Sequence, residues 1–266
     1  MFRTIKLAIA KIYFFRDGEF YLLYYFDTMY FFKKNIELMD ALKNKSAAIS
    51  ATQELKALFE IDKNNRQAAW HNRLITCLPH AIFICGEPEI IFNPAGLTYY
   101  NLEFSENISE DLFSKHCYTI PELIDSFLIN EGVGISIEAR KPNQAIDLSY
   151  GDVLGFHLYR TFAEPEEHLF KTDKPHATML PEGTDIHISN VPKQILPTAS
   201  INLLEAIMQH FGINDPQIKL LYLPETDQHE IAFSINTNQF PSKTLQALLQ
   251  KLGWFLPRYY SYLACD

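Results

Sequence analysis

Residues 185–236 read DIHISNVPKQILPTASINLLEAIMQHFGINDPQIKLLYLPETDQHEIAFSIN. Their periodicity decides the fold class. Asp185–Ser189 alternates polar and apolar side chains, the two-residue repeat of a half-buried strand. From about Thr198, residues Ile201, Leu204, Ile207, Met208 and Phe211 recur at helical spacing, and Gly212 stops the run. Ile218–Leu223 and Glu230–Asn236 return to strand character. Beyond them Ser242 caps a second helix, with Leu245, Leu248, Leu249 and Leu252 on one face and Gly253 at its end. Strand, helix, two strands and helix make an α+β module in which helices cover a small sheet.

Upstream the texture changes. Phe162–Met179 is polar and carries Pro165 and Pro175, so it reads as a linker between two modules. The preceding half, residues 39–161, again mixes helix and strand. Ser50 with Gln53 resembles a capping box ahead of the stripe Leu55, Leu58, Phe59. A helix near Arg66 puts Trp70, Leu74, Cys77 and Leu78 on one face, and Pro79 ends it. Ala81–Cys85, Glu89–Phe92 and Leu97–Phe104 read as strands, the last two flanking the turn Asn93–Gly96. Thr119 with Glu122 caps a helix faced by Leu123, Phe127 and Leu128. Val133–Ala139 and Ala145–Leu148 are strands, and Tyr150–Tyr159 is a short helix. The expected fold is thus α+β, two small mixed sheets each covered by helices and joined by a polar linker, with residues 180–266 as the second module.

Residues 1–38 stand apart. They are rich in Phe and Tyr, yet Lys6, Lys11, Arg16, Asp17, Glu19 and Asp27 break every apolar run short of the 18–20 residues a membrane span needs. Lys11 and the lack of a small-residue cleavage site argue against a signal peptide. One reading is a hairpin, Leu7–Phe15 with Phe20–Tyr25, turning at Asp17–Gly18. The other takes residues 1–38 as an over-extended gene start, with Met39 as the true first residue.

Composition narrows the function classes. Nearly half of the 266 residues are apolar, enough for packed cores. The formal net charge is −9, which repels nucleic-acid phosphates and attracts basic partners. Cys77, Cys85, Cys117 and Cys265 form no CxxC pair, so reduced thiols in a cytoplasmic protein are the simplest reading.

Seven stretches carry a family resemblance. ELKALFEIDKNNRQAAWHNRLITCLPHAIFICG (54–86) and YTIPELIDSF (118–127) resemble the N-terminal module of the SseB (enhanced serine sensitivity) family. LPEGTDIHIS (180–189), PTASINLLEAIMQHF (197–211), IKLLYLPE (218–225), EIAFSI (230–235) and FLPRYYSYL (255–263) resemble its C-terminal module. NPAGLTYYNLEF (93–104) does not follow the family's turn-rich strands. The resemblance implies a cytoplasmic bacterial protein and supplies no catalytic residues.

No constellation in the chain reads as catalytic, metal-binding or cofactor-binding. His116–Cys117 would point to opposite faces of a strand. Asp185, His187 and Ser189 share one strand face but are too widely spaced for a nucleophilic triad. Glu166–Glu167 reads as solvated linker charge. Gly132 and Gly134 open no phosphate-binding loop, and Tyr150–Gly151–Asp152 is a turn or a helix entry. What remains is a set of tyrosines, whose large contact area and hydrogen-bonding tip suit protein interfaces. Tyr259, Tyr260 and Tyr262 are the first candidates, with Tyr99 and Tyr100. The function expected is therefore non-enzymatic binding of a protein partner with a basic surface, as an adaptor or as an immunity protein that neutralises a toxin. The alternative is an enzyme or small-molecule binder with a site between the modules.

Overall fold

Helix α1 (residues 46–59) buries Thr52, Leu55, Leu58 and Phe59 along one side. It starts before the Ser50–Gln53 pair that reads as its cap. The inward hydroxyl of Thr52 instead accepts the Ile82 amide at 2.9 Å, so a polar residue of this helix serves the neighbouring strand. The computed structural model describes residues 46–105, 117–141, 143–170, 185–225 and 227–265. The two readings of residues 1–38 lie outside them.

Helix α2 (Ala68–Cys77) turns Trp70, Leu74 and Cys77 inward, as their spacing predicts. The Trp70 indole donates to the Leu58 carbonyl at 2.8 Å and ties α2 to α1. Strand β1 (Ile82–Phe92) follows. It joins the two expected strands into one, with the pairing register shifting between Cys85 and Ile90. The Asn93–Gly96 turn leads into β2 (Thr98–Glu103): the Asn93 carboxamide oxygen accepts the Ala95 and Leu97 amides, and Gly96 takes φ +72°. After β3 (Cys117–Thr119), helix α3 opens with the expected Thr119–Glu122 capping box over Ile120–Leu123. It widens to a π-helical stretch at Ile124–Leu128 and ends as Ile129–Glu131, with Gly132 left-handed at φ +68°. Strands β4 (Gly134–Ile137) and β5 (Ile146–Leu148) complete a sheet of order β3-β1-β2-β4-β5, and α4 (Tyr150–Tyr159) follows.

The second sheet has order β6-β7-β8-β9 and contains β6 (His187–Asn190), β7 (Ile218–Leu223), β8 (Gln228–Ser234) and β9 (Tyr262–Cys265). Helices α5 (Thr198–His210) and α6 (Ser242–Trp254) bury Leu204, Met208, Leu248 and Leu252. The fold class is α+β with two separate small mixed sheets, as the periodicity predicts. One connectivity occurs in both halves: a helix, an antiparallel hairpin, a second helix, and a strand that returns parallel to the second hairpin strand. In the first half this is α2-β1-β2-α3-β4, with β3 interposed; in the second it is α5-β7-β8-α6-β9.

Residues Ile49–Asp266 form one compact unit, and a continuous cluster of buried side chains runs from Leu55 to Tyr260 through both halves. Helix α4 lies at the centre of it. Tyr150 is fully buried, and its hydroxyl donates to the Ile129 carbonyl at 2.9 Å and meets the Ser200 hydroxyl at 2.8 Å. Burial pushes that phenol up to about 12. Gly151 packs against the Leu256 carbonyl so tightly that a methyl group there would overlap it. Within the expected linker, Phe162 lies against Phe156 (4.6 Å between ring centroids) and Phe170 is buried; residues 171–179 lie outside the described ones.

Candidate interaction site

The register of each element decides where the five candidate tyrosines go. Tyr100 pairs with Ile135 and points to the helix-covered face, where its ring meets Phe127 edge-on and its hydroxyl donates to Glu89 at 2.9 Å. Tyr99 points the other way and accepts from the Trp254 indole at 3.1 Å. Tyr260 is 1% exposed, stacks on Phe170 at 4.0 Å and donates to the Ile195 carbonyl. Burial raises all three phenols above the ordinary tyrosine range. Tyr99, Tyr100 and Tyr260 are therefore corrected from surface anchors to core: their rings hold strands and helices of this chain together. Adjacent tyrosines look alike in sequence, and only the pairing register tells which way each one points.

Tyr259 and Tyr262 are half-buried. The Tyr259 ring lies against Tyr159 and His168, and its hydroxyl is buried with no hydrogen-bond partner among the described residues. Tyr262, on β9, crosses α6 at Gly253, where an added methyl would collide with the phenol. It forms one wall of a groove of about 820 Å³ between α6 and the segment leading into β9. Phe240, Leu245 and Leu249 supply the apolar floor, and Gln246 and Gln250 supply neutral amides. Arg258 is the one charged lining residue among the described residues, and it already pairs with Asp152 at 2.7 Å. The groove thus offers apolar contact and amide hydrogen bonds, and its lining among the described residues holds no carboxylate, imidazole or thiol.

A smaller cleft of about 310 Å³ opens between the two halves, where the β1–β2 turn meets α3, α5 and α6. Leu203, Ile207 and Phe255 form its apolar part, and Glu131, His210 and Lys251 approach it from three different helices. None of the three forms an ion pair with another described residue.

The residues that sequence reasoning weighed and set aside are scattered. His187 and Ser189 are exposed on β6, and the His187 ring approaches Tyr222 at 5.8 Å. Glu166 and Glu167 are exposed. None of the four cysteines forms a disulfide; Cys77 is buried and the others partly so. No three His, Cys, Asp or Glu side chains among the described residues converge as a metal site. Sequence reasoning missed Glu230. It sits on β8 opposite Leu221, 3% exposed, with one carboxylate oxygen unpartnered among the described residues, and burial raises its pKa to about 7. Its face of β8 also carries Gln228 and Ser234, which reads as a solvated edge in the sequence.

No protein-family model matches this chain, and no curated protein or solved structure does. No helix among the described residues is long and apolar enough to cross a membrane.

Proposed function

We propose that this chain is a non-enzymatic, cytoplasmic, SseB-like protein that works by binding another protein, and that the partner lays an apolar segment into the groove beside α6. The observation that carries this reading is the lining of the groove. An apolar floor of Phe240, Leu245, Leu249 and Tyr262, edged by glutamines, fits a helix or an extended segment whose side chains fill the floor and whose polar groups meet the amides. The net charge of −9 supports a partner with a basic surface, because opposite charge speeds encounter. An immunity protein that captures a basic toxin is one specific form of this reading; a regulatory adaptor is the other.

The test places a photo-crosslinking residue at Gln246 or Gln250 in the native host and compares it with one at Lys193. The expected result is one protein cross-linked from the two groove positions and not from Lys193, lost when Leu249→Glu charges the floor. A true hot spot at Tyr262 would cost about 2 kcal/mol on replacement by Ala, mostly as faster dissociation. Cross-linking that is equal from Lys193, or that survives Leu249→Glu, overturns the groove as the docking site.

A further inference from the structure

The hairpin that reaches the smaller cleft carries an unusual side chain. Phe92, the last residue of β1, is 71% exposed, the largest exposure of any big apolar side chain among the described residues. Phe92 pairs directly with Thr98, and directly opposed residues of an antiparallel pair project to the same face. Thr98 lines the cleft formed with Leu203, Ile207 and Phe255. An exposed aromatic knob thus stands one cross-strand pair away from Thr98, a rim residue of an apolar hole of about 310 Å³.

Adjacent knob and hole are what an isologous pair of identical surfaces requires, since each copy must offer both members of every contact. The charges follow the same rule. Glu131 and Lys251 line the same cleft from different helices, and neither forms an ion pair with another described residue. A two-fold contact can set the Glu131 of each copy against the Lys251 of the other. That matters for a chain of net charge −9, whose copies repel one another except where a patch of both signs meets its own image. We infer that the chain forms a two-fold dimer through this face, with Phe92 of each copy seated in the cleft of the other.

Sedimentation equilibrium of the full chain, over about two decades of protein concentration, tests this. The wild type is expected to be a concentration-dependent dimer. Phe92→Ala, at an exposed site where folding does not depend on the ring, should weaken dimerisation at least about tenfold while leaving the circular dichroism spectrum unchanged. Glu131→Lys alone should weaken it, and Glu131→Lys with Lys251→Glu on the same chain should recover it, because the two-fold restores both exchanged pairs. A wild-type chain that stays monomeric overturns the dimer, whatever small molecule the cleft then takes up. So does a dimer that is indifferent to Phe92→Ala, or a charge-reversed double variant no better than the single one.

Discussion

Glu230 is a carboxylate placed where a neutral side chain would sit more comfortably. In the folded chain it keeps its proton up to about pH 7, whereas an unfolded glutamate releases it near 4.5. Between those values the folded state binds more protons than the unfolded one, so stability falls as pH rises through this window and is flat above it. Glu230→Gln keeps the shape and removes the titration. The variant should match the wild type below about pH 4.5 and be more stable by about 2 kcal/mol above pH 7. Urea denaturation at a series of pH values checks this; a constant difference across the series would contradict it. Tyr259 poses a related case without titration in the accessible range. Its buried hydroxyl lacks a hydrogen-bond partner among the described residues, so Tyr259→Phe should leave stability unchanged or raise it by about 1 kcal/mol.

The elements differ in how openly the sequence announces them. The Thr119–Glu122 capping box is visible because Thr, Pro121 and Glu fall at their usual offsets. The equivalent box at α4, Ser149 with Asp152, hides behind Tyr150 and Gly151, which look like a turn. Strand β9 is hidden differently: Tyr262–Cys265 is short, and its pairing with β8 is parallel, so no nearby turn advertises it. The candidate groove depends on β9 and the segment before it, which is why its floor is not legible in the chain even though Leu245 and Leu249 are plainly on one helix face. The alternation that does reveal strands cannot say which face is covered, and that is how Tyr99 and Tyr100 read as surface. At α4 the consequence can be measured. Ser149→Ala removes the acceptor of the Asp152 amide and should cost about 1 kcal/mol. Asp152→Ala should cost more, since it also leaves Arg258 without its partner at 2.7 Å.

At the scale of the whole molecule, the two sheets do not hydrogen-bond to each other, yet one core runs through both halves. Unfolding of Ile49–Asp266 should accordingly be one cooperative transition. Calorimetry is expected to give equal calorimetric and van't Hoff enthalpies, and two resolved transitions would contradict it. Gly151→Ala is the sharpest probe. The added methyl meets backbone at Leu256, which cannot swing aside as a side chain could, so the loss should reach about 3 kcal/mol. Trp254→Phe removes the indole donor to Tyr99 but keeps most of the apolar contact, and should cost about 1 kcal/mol.

The contact at Gly151 also bears on how such a chain can change over generations. Because both halves carry the same connectivity, an exchange of one half for a similar unit from another gene would preserve every strand order. It would not preserve the seam: Gly151 against Leu256, Tyr150 on Ser200 and Trp254 on Tyr99 each need a residue from either side of the exchange point. A recombinant half arriving with an alanine or a serine at the glycine position would be rejected by the backbone it must lie against. The two repeats are thus bound to be inherited together, and variation should accumulate in correlated pairs across the seam while the exposed groove and hairpin tip drift on their own.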